Sequence, residues 1–143
     1  MQPPRIKPPW RFFFGVESKK ICIFFKLWNM KIAIIGSREC GNINFEELIK
    51  KHMDILANDT IISGGARGID TLAAKYARKH GMKLLEFRPD YATFGRGATF
   101  VRNRIIVDMA DVVLAFWNGT SRGTKYTIEY AKKKYVPVII IRI

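Results

Sequence analysis

Cysteine is scarce: only Cys22 and Cys40 occur in 143 residues. That leaves no room for a disulfide framework or a Cys-x-x-Cys metal knuckle, and both read as free thiols of a reduced, cytoplasmic protein. Histidine is as rare, and His52 and His80 fall in predicted helices without neighbours of metal-ligand type, so neither is assigned to catalysis. The sequence asks for no metal and no separate cofactor. No apolar run approaches the roughly 20 residues of a membrane span. The stretch Ile21 to Trp28 is broken by Lys26 and is followed by Asn29-Met30-Lys31, not by the small-residue cleavage site of a secretory signal. Acidic residues are few as well, 12 against 25 Lys and Arg, for a formal charge of +13. Such an excess attracts polyanions and speeds encounter with them.

What is present is one domain's worth of chain, 48% hydrophobic, enough to bury a core. Residues 1–29 read unlike the rest. Pro3, Pro4, Pro8 and Pro9 block regular structure, and the basic, aromatic stretch after them suits either a loosely attached extension ahead of a start at Met30 or a segment that docks on an anionic surface. From Lys31 onward a strand–loop–helix unit recurs without linker or low-complexity tract. Strands are predicted at Lys31 to Ile35, Thr60 to Ser63, Lys83 to Phe87, Asp111 to Phe116 and Val136 to Ile141. Helical spacing runs from Phe45 through Ile49 to Leu56, then over Thr71 to His80, Ala98 to Met109 and Thr124 to Lys134, with Asp90 to Gly97 as a loop. Asn44 and Glu47 form a capping-box pattern, and Gly81 suits a left-handed helix stop. Alternation of this kind predicts an α/β, Rossmann-like, doubly wound sheet of about five parallel strands with helices on both faces, over residues 30–143. Exposed edge strands and apolar helix faces would also permit a homo-oligomer.

In such sheets ligands bind beyond the carboxyl ends of the strands, and the glycine-rich loops all sit there. Gly64-Gly65-Ala66-Arg67-Gly68 joins a strand to a helix, so its amides and the helix start can approach a phosphate while Arg67 adds guanidinium contacts. The alternative is a tight turn with a surface arginine. A second loop of the same kind, Gly119-Thr120-Ser121-Arg122-Gly123-Thr124, offers hydroxyls and amides, with Thr124 a candidate helix cap. Gly36, Ser37 and Arg38 after the first strand complete a cradle or form a solvated turn. Arg102 and Asn103 open the helix whose Ile105, Ile106 and Met109 are expected to face the core, an arrangement that would point Arg102 and Asn103 at the ligand. Asp70 can cap its helix, orient Arg67 or accept from a ribose hydroxyl, with capping the first expectation.

Four motifs in order, the GSR after the first strand, GGARGID, FVRNRII and WNGTSRGTKYTIEYA, resemble the SLOG superfamily, which spans the Smf/DprA and LOG (lysine-decarboxylase-like) proteins. GGARGID and RNRII are similar to DprA, whereas the compact length and W-x-G-x-S-x-G-T are similar to the small YspA/YpsA-related members. The resemblance implies a domain that binds a nucleotide or nucleotide-derived ligand as a sensor, with phosphate on the positions of Gly64, Gly65, Arg67, Gly119, Ser121, Gly123 and Thr124. It also implies two alternatives, a LOG-type N-glycosidic hydrolase or a DprA-like binder of single-stranded DNA in DNA uptake or recombination. LOG enzymes carry a glutamate in PGGxGTxxE where this chain has Thr127, and a threonine hydroxyl does not titrate in a useful range. Glu129, roughly 200 degrees further round the helix, faces away. The hydrolase expectation is weakened accordingly.

Overall fold

A computed structural model describes residues 29–143. The N-terminal extension expected over residues 1–29 lies outside the described residues except for Asn29. Five strands, β1 (Lys31–Gly36), β2 (Thr60–Ser63), β3 (Lys83–Glu86), β4 (Val112–Trp117) and β5 (Val138–Arg142), pair in parallel in the order β3-β2-β1-β4-β5. Between them run α1 (Phe45–His52), α2 (Ile69–Lys79), the short α3 (Tyr91–Phe94), α4 (Ala98–Met109) and α5 (Arg122–Lys133). The doubly wound Rossmann-like sheet expected from the sequence is the observed architecture.

The central strands β1, β2 and β4 are largely apolar because both faces are covered, whereas the edge strands β3 and β5 keep exposed positions such as Lys83 and Ile140. Ile32 and Ile34 of β1 join Val112, Leu114 and Phe116 of β4 under α1 and α2, where Phe45, Ile49, Ala73 and Ala77 are buried. The alternate residues Ala33, Ile35, Val113 and Ala115 pack with Ile106, Val107, Ile128 and Ala131 of α4 and α5. From β1 the chain winds outward through β2 and β3, then crosses to β4 and β5 on the other side. The winding direction therefore reverses between β1 and β4, which pair from Ile32 opposite Val112 to Gly36 opposite Phe116. The loops after those two strands splay apart there and open a crevice.

Several boundaries differ from the sequence expectation. Helix α1 ends at His52, short of Ile55 and Leu56. Met53 turns extended, and the Asp59 carboxylate accepts from the Leu56 amide at 2.8 Å and the Met30 amide at 2.9 Å, drawing the chain into a turn beneath β1. The expected loop Asp90 to Gly97 is largely helical, because Asp90 caps α3 by accepting from the Thr93 amide and a 3-10 turn over Gly95–Gly97 leads into α4. On α4, Ile106 is buried, but Ile105 and Met109, one turn apart, are 41% and 37% exposed and do not face the core as expected. The Asn44 cap is present, with the Glu47 amide donating at 3.2 Å, and Gly81 stops α2 at φ +61°. Among the described residues no helix is long and apolar enough to cross a membrane.

Candidate functional site

The crevice between the β1 and β4 ends is a cleft of about 550 Å³, within the range of small-molecule sites. Of the residues singled out in the sequence, Gly36, Ser37, Arg38, Ala66, Arg67, Asp70, Arg102, Asn103, Thr120, Ser121, Gly123 and Thr124 line it. Gly64 and Gly65 line an adjoining depression instead. Gly68 and Gly119 line neither; Gly68, at φ +78°, lets the helix start approach the Ser37 and Arg38 backbone, and Gly119, at φ +86°, lies against the Arg142 guanidinium. Sequence reasoning missed Asn118 and Thr99 as cleft residues, and it left Glu39, Arg96, Phe100 and Thr127 off the ligand set.

The loop after β1 is held by buried Ser37. Its amide donates to Phe116 O at 3.0 Å, its carbonyl accepts from the Ile69 amide at 3.3 Å, and its hydroxyl accepts from the Asn118 amide at 3.2 Å. Ser37 thus pins three elements together at the cleft floor. The loop after β4 is built on Asn118, whose Oδ1 accepts from the Thr120 amide, the Thr120 hydroxyl and the Ser121 amide at 3.0, 3.1 and 2.9 Å. An asparagine followed by glycine and hydroxyl residues is the signal of such a turn. Trp117 adds an indole N–H to Ser121 O at 3.1 Å, and Arg142 stacks on the same indole at 4.8 Å.

Ser121, not Thr124, caps α5; its Oγ accepts from the Thr124 amide and lies 3.0 Å from the Thr124 hydroxyl. The cap sits one turn earlier than expected because Asn118 ties down the Ser121 amide and turns its side chain toward the helix. The next two amides, Arg122 and Gly123, have no hydrogen-bond partner among the described residues. A Cβ on Gly123 would meet nothing within 4 Å, so this helix start is open to the cleft and carries the partial positive charge of the helix dipole.

Asp70 does not cap its helix. Gly68 is the N-cap, without a side-chain bond, and Asp70 accepts from the Ala66 amide at 3.2 Å. Burial lifts its pKa to about 6, against the lowering effects of the Ala66 N–H and the charges of Arg102 and Arg38. Arg102 is also turned inward. It donates to Gly64 O and to Phe87 O, and its Nε donates to Asn103 Oδ1 at 2.8 Å. That bond fixes the amide orientation of Asn103, since the guanidinium can only donate. The Asn103 Nδ2, on a residue 8% exposed, is left without a partner among the described residues. A Cβ on Gly64 would collide with the Arg102 guanidinium and the Asp70 carboxylate, so the missing side chain of Gly64 makes room for an arginine.

Four arginines, Arg38, Arg67, Arg96 and Arg102, and two carboxylates, Glu39 and Asp70, line the cleft, which is net positive. Thr127, at the position of the LOG glutamate, is buried and donates to Gly123 O at 2.9 Å. Glu129 is exposed and lines no part of the cleft.

A Rossmann-like sheet with its crevice at the β1/β4 switch and the SLOG motifs around it defines the class. The model of the YspA, cpYpsA-related SLOG family matches residues 30–94, and the chain belongs to that family. Gene 61 protein of Mycobacterium phage D29 is 38% identical over 85 residues, which is 55% of this chain and 68% of the phage protein. Among solved structures, DNA processing protein A (DprA) from Streptococcus pneumoniae matches with a TM-score of 0.65 at 22% identity, over 80% of this chain and 51% of its own. DprA from Helicobacter pylori, described for its single-stranded DNA binding mode, matches with a TM-score of 0.53 at 22% identity, over 78% of this chain and 64% of its own. The chain thus spans about half of one DprA and under two thirds of the other, and at that identity the likeness speaks for the fold alone.

Proposed function

We propose that the chain binds single-stranded nucleic acid, seating one nucleotide of the strand in the switch-point cleft. The observation that carries this reading is the convergence of unpartnered donors there: buried Asn103 Nδ2 and the Gly123 amide line one cleft together with Arg38 and Arg96. A phosphate on the α5 start meets the positive end of a helix, with exposed arginines beside it. Phe100, 43% exposed at the same rim, gives a base a face to stack on, in the manner of sequence-tolerant single-strand sites. The charge of +13 and the single-strand binding described for the H. pylori DprA support the same reading. Thr127 in place of a carboxylate favours binding over cleavage.

A fluorescence anisotropy titration with a labelled oligothymidylate tests it. Binding weakened by Arg38→Ala and Arg96→Ala supports the proposal; a chain that leaves the strand free at low salt refutes it. A second reading, a free nucleotide or nucleotide derivative as the ligand, is favoured by Asp70 and Glu39. Carboxylates inside a cleft suit sugar hydroxyls better than a bare phosphate backbone. Competition separates the two: a mononucleotide that displaces the strand at equal concentration favours the free ligand.

A further inference from the structure

Beyond the cleft lies a second depression of about 540 Å³. It shares Arg38, Ala66, Arg67 and Arg102 with the cleft, so the two abut along that line. Their chemistry differs. The cleft mixes arginines with Glu39 and Asp70, whereas the depression is lined by four arginines and, among the described residues, by no carboxylate. Arg88 extends across it, near enough that a Cβ on Gly65 would touch the Arg88 side chain at 3.4 Å. Gly65 itself sits at φ +68°, which keeps the loop low beneath that arginine. The Arg88 side chain is 74% exposed and, among the described residues, makes a long ion pair, 3.8 Å, with Glu86. Tyr91, at the far wall, is 59% exposed. Its hydroxyl reaches Thr99 at 3.4 Å, which tethers one end of the ring.

We propose that this depression is a second nucleotide subsite, in which Arg88 and Arg67 hold a backbone phosphate and Tyr91 stacks on the adjoining base. The assignment rests on the single-strand reading above and deepens it. A hollow lined by guanidiniums, with the acids that pair with Arg67 and Arg88 (Glu39 and Glu86) standing outside its lining, selects a polyanion, and an exposed phenol ring beside it accepts any base by stacking. A ligand that fills both hollows must carry at least two nucleotides. The subsite therefore discriminates strands from mononucleotides.

The test compares the full chain with Arg88→Ala and Tyr91→Ala, using anisotropy for a labelled oligothymidylate and competition for thymidine monophosphate. Both side chains are exposed, so melting temperatures should match the wild type. Each variant is expected to bind the oligomer about tenfold more weakly, with the loss confined to ligands longer than one nucleotide. For Arg88→Ala the slope of log K against log salt should become shallower by about 0.7. Variants that bind the oligomer as the wild type does overturn the subsite and leave the cleft reading standing. A loss that is equal for monomer and oligomer also overturns it, since the effect then lies in the cleft. A wild type that binds no strand overturns both.

Discussion

Glu39 and Arg67 meet at 2.8 Å across the mouth of the cleft, the one from the loop after β1 and the other from the loop after β2. Their side chains are 79% and 73% exposed, so the pair adds little to stability in water. It matters for ligands, because Glu39 occupies one of the three guanidiniums that the cleft and the depression share. A phosphate must displace it. Glu39→Gln should tighten oligothymidylate binding by about three- to tenfold at low salt and steepen the salt slope by about 0.7. The gain should vanish in the Arg67→Ala background, as a double-mutant cycle would report. Glu47→Gln, which loosens the exposed Lys51 pair on α1, should change neither.

Asp70 makes the cleft sensitive to acid. Its folded pKa, about 6, lies above the ordinary 3.8, so between roughly pH 4 and 6 the native state binds more protons than the unfolded chain. Stability from this one group rises as pH falls through 6 and is lost as pH climbs above it. A shift of this size corresponds to at most about 3 kcal/mol. Asp70→Asn imitates the protonated form and keeps an acceptor for the Ala66 amide. Thermal melts should show the variant more stable than wild type near pH 7.5, with the difference shrinking toward pH 5. Strand binding by the wild type should strengthen over the same interval, as a negative charge leaves the cleft.

Two glycines with similar sequence surroundings should behave in opposite ways. Gly64→Ala drives a methyl into the buried Arg102 guanidinium and Asp70, an overpacking expected to cost about 1–3 kcal/mol in denaturant unfolding. Gly123→Ala meets nothing within 4 Å and, inside a helix, should raise stability by up to about 1 kcal/mol. It narrows the approach to the open α5 start, so strand affinity should drop severalfold. Unchanged binding by Gly123→Ala would place the phosphate elsewhere.

The alternation of apolar runs with glycine loops made the five parallel strands legible, because buried strands keep their apolar runs, but their bounds shifted by one or two residues at β1, β3, β4 and β5. The α4 range, Ala98–Met109, is the one expected from the sequence. Less legible were features set by contacts distant in sequence. GGARG looks like a phosphate loop, yet Gly64 is small on account of Arg102, 38 positions later. Arg102 reads as a cation aimed at the ligand, yet it staples that loop from within. Ile105 and Met109 look like core because apolar residues surround them, but the helix turns them away from the sheet. Asn118 accepts three hydrogen bonds within its turn, and only its place before Gly119 and two hydroxyl residues hints at it.

The most direct test of the account is the salt dependence of oligothymidylate binding by the full wild-type chain. Single-strand recognition by the cleft and its rim predicts that log K falls linearly with log salt, with a slope near −0.7 for each phosphate engaged, and that a mononucleotide competes only at far higher concentration. A flat salt response, or a mononucleotide bound as tightly as the strand, would contradict it.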